Sequence, residues 1–350
     1  MKNKLLLTSA LAGSLMFTSS LYAQTTISGN LDLSFKAISS DGTKTNSSSE
    51  RFFGKETQIN VANKGKLNNG LDYAAGFSLE LDGNEGSTAG TTIQNTHNEN
   101  VYIDFISGNT TFTFGVDHIQ NSDRTLGTLL GAQAEDLADG IAGSTSGISP
   151  SAVGADPAST YGLGVMHKTP VGSLSAWYTP KSGGNNAGVA NNDASSYISD
   201  AGKGAFEVGF VGPLGVKGLN THVFYNKREK TSATAQDVKG KNIGVSYNVG
   251  QITGGINRKM VDESTANTET KMWEYSVAFA ATKELTVGLN YSKAEQTGKT
   301  ADEKVKSLAV GYNMGPVVLV AQYGDVENQG GLTANTSDGN VAYIQLSTKF

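Results

Sequence analysis

Apolar residues recur at every second position through most of this chain, a period that calls for strands and not for amphipathic helices. In "TTISGNLDLSFKA" the residues Ile27, Leu31, Leu33 and Phe35 share one face, and Ser28, Asn30, Asp32, Ser34 and Lys36 share the other. Tyr73, Phe77, Leu79 and Leu81 oppose Asp72, Ser78, Glu80 and Asp82 in the same way. Further on, Leu285, Val287, Leu289 and Tyr291 oppose Thr286, Gly288, Asn290 and Ser292. Each stretch is about ten residues, the length a tilted strand needs to cross a bilayer.

The pattern predicts strands near 24–37, 55–63, 70–82, 98–107, 110–119, 159–168, 172–180, 203–211, 217–229, 239–248, 252–261, 271–281, 284–293, 304–314, 316–325 and 340–350, sixteen in all. Short links such as "SGN" at 107–109, "NVGQ" at 248–251 and "MGP" at 314–316 are interleaved with long polar ones. Membrane barrels show this asymmetry, with short periplasmic turns, longer external loops and, for an even strand number, both chain ends on the periplasmic side. The 43 glycines against 6 prolines suit many strands joined by turns.

Periodicity alone leaves a soluble β-sandwich or a stack of β-repeats open, because their strands alternate as well. The N-terminal region weighs against them. Lys2 and Lys4 precede an apolar, Ser- and Thr-flecked stretch from Leu5 to Leu21, and Ala23 offers a small residue for cleavage, so residues 1–23 are expected to be a removed export signal. Residues 24–350 then form a single barrel domain. Beyond Tyr22 no apolar run approaches the ~20 residues of a membrane helix. The chain has no Cys, so neither disulfides nor a thiolate metal site enters. Without Lys2 and Lys4 the balance is 25 basic against 32 acidic residues, a net charge of −7 that argues against nucleic acid as a partner.

The stretches "GKETQINVANKGKLNNGLDYAAGFSLELDG", "NENVYIDFISGNTTFTFGVD" and "STYGLGVMHKTPVGSLSAWYTP", together with a long third connection and the terminal Phe350, resemble the Gram-negative general porins over the whole mature chain. The resemblance implies an all-β transmembrane antiparallel barrel of sixteen strands whose third loop, residues 120–157, folds into the lumen. It also implies a homotrimer in the outer membrane, with the bilayer, small hydrophilic solutes and ions, and the outer-membrane assembly machinery as partners. Phe350, on the C-terminal aromatic strand "NVAYIQLSTKF", is then both a lipid-facing girdle residue and an assembly signal.

Function depends on what fills the barrel, and sixteen strands leave an aqueous channel where eight leave a packed core. The third loop contains "LLGAQAEDLADGI", in which Leu130, Ala134, Leu137 and Ile141 suggest a short helical turn on the wall and leave Glu135, Asp136 and Asp139 on other faces. These carboxylates, with Arg124, are the candidates for the pore constriction. Asp32, Lys36, Glu56, Tyr102, Asp104 and Asp117 have inward parity and are the candidates for the pore lining, and Trp177 and Phe224 share that parity. Lys36 is the main inward cation of the early strands, with Arg51, Lys55 and Arg124 assigned to nearby loops. The acidic excess predicts a preference for cations.

Catalysis finds no support. His97, His118, His167 and His222 are scattered over separate hairpins without zinc spacing, and no G-x-S-x-G elbow occurs. "DGTKTNSSSE" and "TANTSDGN" lack the ligand spacing of a calcium loop. No metal and no cofactor is expected. A passive diffusion pore is the expected function, with a solute-selective porin as the alternative and an outer-membrane barrel enzyme or an adhesive, structural barrel behind it.

Overall fold

The computed structural model describes residues 23–40, 51–81, 96–115, 162–179, 204–229, 237–263, 268–331, 333 and 338–350. Among these residues the chain forms sixteen strands. They are β1 (Gln24–Ser40), β2 (Arg51–Lys66), β3 (Asp72–Leu81), β4 (Thr96–Ser107), β5 (Thr110–Gly115), β6 (Gly162–Thr169), β7 (Gly172–Thr179) and β8 (Ala205–Gly212). The series continues with β9 (Leu219–Arg228), β10 (Val238–Val249), β11 (Ile252–Glu263), β12 (Thr268–Ala280), β13 (Leu285–Gln296), β14 (Glu303–Asn313), β15 (Val317–Glu327) and β16 (Gly339–Lys349). Each pairs antiparallel with its sequence neighbours, and β1 pairs with β16 to close the barrel.

Closure removes the exposed edges that an open sheet of this size would carry. It is completed beyond the end of β16, where Gly29 and Phe350 exchange backbone hydrogen bonds at 2.8 and 3.0 Å.

The two ends of the barrel differ as the link lengths predict. Ser107 pairs with Thr110, Thr169 with Gly172 and Val249 with Ile252, so each of these hairpins turns in two residues. Gly108 and Gly250 supply the positive φ that such tight turns require, at 55° and 61°. Both Ala23 and Phe350 lie at this short-link end. The connection 120–157, with its expected helical turn, and nearly all of the proposed export signal lie outside the described residues.

Two expectations need correction. Strands β1 and β2 run 17 and 16 residues, well past the bounds read from alternation. Arg51 and Lys55, assigned above to a loop, therefore belong to β2, where they pair with Ala37 and Leu33 of β1 on the outer face. A cross-strand aromatic pair sustains the extension: the rings of Phe35 and Phe53 lie 5.1 Å apart, centroid to centroid.

The polarity of the wall decides between a soluble and a membrane-spanning β-structure. Along β10 burial alternates strictly: Gly240, Asn242, Gly244 and Ser246 are buried, while Ile243, Val245 and Tyr247 are exposed. Polar and small residues thus face inward and apolar ones outward, the inverse of a sandwich core. Phe53, Ile27, Leu163 and Leu289, from four different strands, extend the outward apolar face around the barrel. Such a surface is stable only where lipid covers it.

Small apolar clusters also occur on the inner face, Met272 with Ala294 and Ala278 with Ala309. Val305, Val326 and Val341 form a buried cluster at the long-link end, with Ile38 and Tyr343 packed against it. At this end the rim is tied together: the backbone N–H groups of Thr300 and Ala301 donate to the Gly331 carbonyl at 3.1 and 3.2 Å, and the Asn328 N–H donates to Asp338 Oδ1 at 2.6 Å.

Candidate functional site: the polar inner wall

The inner face of a closed barrel forces its side chains to satisfy one another laterally or to meet water. Two hydrogen-bonded rows do the former. His222 Nε2 on β9 donates to Asn242 Oδ1 on β10 at 3.2 Å and to Asn257 Oδ1 on β11 at 3.0 Å; Asn257 Nδ2 in turn donates to Glu274 Oε2 on β12 at 2.6 Å. The second row runs from Ser276 on β12, whose hydroxyl donates to Asn290 Oδ1 on β13 at 2.6 Å, to Ser307 on β14, which accepts from Asn290 Nδ2 at 3.5 Å and from Gln322 Nε2 on β15 at 3.0 Å. Together the rows cover the inside of seven consecutive strands.

Large inward side chains lie over glycines on the neighbouring strands. A Cβ built on Gly76 would stand 2.9 Å from the Tyr102 ring, and one on Gly162 would stand 2.6 Å from the Trp177 indole. Phe224 covers Gly209 in the same way, and His222 covers Gly244. Tyr102, Trp177 and Phe224 thus have the lumen-side parity expected of them, but their rings are buried against the wall. Trp177 Nε1 donates to Thr179 Oγ1 at 3.0 Å, which satisfies its one polar group within the strand.

The other pore-lining candidates divide. Asp104 is buried and accepts a 2.7 Å hydrogen bond from Thr113 Oγ1. Lys36 is buried on the inner face of β1, four residues from the half-buried Asp32. Asp32 accepts a long 3.5 Å hydrogen bond from Asn30 Nδ2 at Oδ2, while its buried Oδ1 has no hydrogen-bond partner. Glu56 takes the register position opposite Asp32. Asp117, Arg124, Glu135, Asp136 and Asp139 lie outside the described residues. Among the described residues no group of His, Cys, Asp and Glu is placed to hold a metal ion.

The later strands bring inward charges that a reading of the first five strands missed. Glu207, Lys259, Glu274 and Glu303 are all buried on the inner face. The parity of Glu207, Lys259 and Glu274 was readable in the sequence, since each has an apolar outward neighbour, whereas Glu303 lies between Asp302 and Lys304 and gave no such signal. The lateral partners of all four were not readable, because those depend on register between strands. Of the histidines, His222 belongs to the inner network, whereas His167 sits at the short-link end, bonded to Thr110 Oγ1 at 2.9 Å.

A family model described as Gram-negative porin matches residues 8–331 of the chain. No curated protein sequence matches it. Among solved structures, a loop L8 deletion mutant of OmpT, an outer membrane protein of Vibrio cholerae, superposes with a TM-score of 0.62 at 14% identity, covering 94% of this chain and 99% of that one. OmpT in its trimer form gives 0.60 at 14% identity, with coverages of 94% and 99%. A triple mutant of Rhodopseudomonas blastica porin gives 0.58 at 12% identity, with coverages of 93% and 100%. At such identities the likeness is one of fold.

Proposed function

The chain belongs to the Gram-negative porin family and is an outer-membrane channel protein, and we propose that small hydrophilic solutes and ions cross its lumen by passive diffusion, cations in preference to anions. The observation that carries the pore is the inverted polarity of a closed sixteen-strand wall, clearest along β10. Sixteen strands are too many for side chains to fill the interior, and an inner surface of Asn, Ser, Gln and charged groups is compatible with water. Single-channel recording in a planar bilayer tests it. Stepwise, ohmic conductance is expected; a folded barrel that inserts without conducting would refute the pore.

The cation preference rests on Asp32, Glu56 and Asp104, which share the inward side of the first strands. Acidic side chains along a narrow aqueous path concentrate cations and repel anions. Family resemblance implies that the third loop folds inward, where Glu135, Asp136 and Asp139 add to this charge. The same resemblance supports removal of residues 1–23 on export, a homotrimer, and recognition of Phe350 by the assembly machinery. Native mass spectrometry in mild detergent tests the trimer, and a population of monomers alone would exclude it. Replacing Phe350 with Ser tests the signal: less folded barrel in the outer membrane at unchanged export is expected.

A further inference from the structure

We propose that the short-link mouth of the barrel is an anion-collecting entrance, and that it makes the channel conduct ions unequally in its two directions. The inference rests on the pore reading above and adds a polarity to it. All seven short links belong to the described residues, as does Phe350. These links and the strand residues within three positions of them carry six lysines, Lys64, Lys66, Lys168, Lys217, Lys283 and Lys349, against two acidic side chains, Asp72 and Glu284. All six lysines are exposed. The chain as a whole carries a net charge of −5, so this positive excess is local.

Strand parity turns four of the lysines toward the lumen. Lys64 pairs with Ala74, a buried inner-face residue of β3, and Lys66 takes the next inward position opposite Asp72. Lys349 pairs with Asn30, whose amide donates to the inward Asp32. Lys168 shares the parity of Gly162, the β6 glycine that Trp177 covers from inside. Lys217 and Lys283 stand in the β8–β9 and β12–β13 links. Neighbouring cations around the mouth are thus no more than about four strands apart, roughly 20 Å at the usual spacing of strands.

Countercharges at this end are few. Asp72 is taken by Lys66 at 2.6 Å, and Glu284 adjoins Lys283 and accepts from Thr282 Oγ1 at 3.0 Å. Asp104, the next acidic side chain along the wall, is buried and bonded to Thr113. Phe350 O accepts from the Gly29 N–H at 2.8 Å, which ties the terminal carboxylate into the seam with β1. Lys64, Lys168, Lys217 and Lys349 form no ion pair among the described residues. A positive mouth enriches anions and depletes cations within a Debye length of its lysines, whereas Asp32, with Glu56 opposite it, does the reverse further along the path. Two zones of opposite sign in series pass current unequally. With the short-link side negative, anions enter past the lysines and cations come from the other end, so both accumulate where the zones meet. With that side positive, both are drawn out and the path is depleted.

Single-channel recording of the folded full chain in a planar bilayer tests the proposal. The chain has no Cys, so Gln251→Cys in the β10–β11 link, modified after recording by an impermeant maleimide on one side, reports which way each channel lies. In 10 mM KCl the Debye length is about 30 Å and the fields of neighbouring lysines merge; wild type is expected to pass at least about twofold more current with the short-link side negative. In 1 M KCl, where that length is about 3 Å, the ratio is expected to fall to about one. K64Q/K168Q/K217Q/K349Q is expected to give a ratio of about one at both salt concentrations. A control, K241Q/K271Q/K293Q/K306Q, removes four outward-facing cations near the long-link end and is expected to rectify as wild type does. Wild type alone keeps the test available if the first variant does not fold. Its cation preference, read from reversal potentials, is expected to be weaker when the dilute solution bathes the short-link side, because screening of the lysines is least there. Symmetric wild-type currents in 10 mM KCl, rectification of the opposite sign, equal loss in the control, or the same preference for both gradient directions would overturn the proposal. A folded barrel that inserts without conducting would instead refute the pore reading itself.

Discussion

Phe350 lies over Gly29, and the two residues exchange both backbone hydrogen bonds, so the last residue closes the barrel onto its first strand. A methyl group on Gly29 would stand 2.5 Å from Phe350 Cζ and 2.7 Å from the Gln58 carbonyl oxygen. Gly29→Ala is therefore expected to destabilise the folded barrel by about 1–3 kcal/mol, the usual cost of forcing a carbon into a filled space. Denaturant titration in detergent measures it. Adding Phe350→Ala should recover only part of the loss, because the backbone of Gln58 cannot yield as a ring can. An unchanged midpoint for Gly29→Ala would show that this contact relaxes freely.

The inner row through Asn257 gives a second expectation. Its side chain accepts from His222 and donates to Glu274, so Asn257→Ala removes a partner from each of two buried polar groups. A cost of about 1–3 kcal/mol is expected for leaving such groups short of a hydrogen bond. Asn257→Asp keeps the acceptor for His222 but sets a carboxylate against Glu274, and should be destabilising at neutral pH. Equal stability of wild type and Asn257→Ala would mean that water replaces the amide at no cost.

Adjacent residues on opposite faces supply a third test. Leu289 is 56% exposed on the outer face, whereas Asn290 is part of the inner hydrogen-bonded row. Leu289→Arg should cost about 2–4 kcal/mol in a lipid-folded barrel, as a cation near the bilayer middle does. Asn290→Arg places the same charge toward water and should cost less, while altering conductance. Folding free energies in bilayers, measured for both, decide it. A reversed order would contradict the assignment of faces.

Strand number, order and facing were legible because alternation is a local property: Leu289 and Asn290 differ in parity whatever their neighbours do. Strand length was less so. The extension of β2 to Arg51 depends on Phe53 meeting Phe35 across the hairpin, a contact between residues 18 apart in sequence. The inner rows depend still more on register, since His222, Asn257 and Glu274 meet only when three consecutive hairpins are in place. Tyr102, Trp177 and Phe224 illustrate the gap best. Parity gave their side of the wall, but only their contacts with Gly76, Gly162 and Gly209 show that the rings lie against it.

Ion selectivity gives the last prediction. Wild type should show a reversal potential of cation-preferring sign across a salt gradient, since Asp32 and Asp104 face inward and Glu56 holds the same register side. At physiological salt the Debye length is about 8 Å, so charges near the narrowest point dominate and those at the mouth mainly steer arrival. Asp32→Asn should lower the preference if the path narrows beside β1. Neutralising Asp136 and Asp139 together should lower it more than neutralising Glu80 and Asp82, because the first pair belongs to the loop proposed to form the constriction. If both pairs act equally, residues 120–157 do not narrow the path. An anion-preferring wild type would place a basic surface, with Lys36 and Lys259 as its inward-facing cations, in control of the lumen.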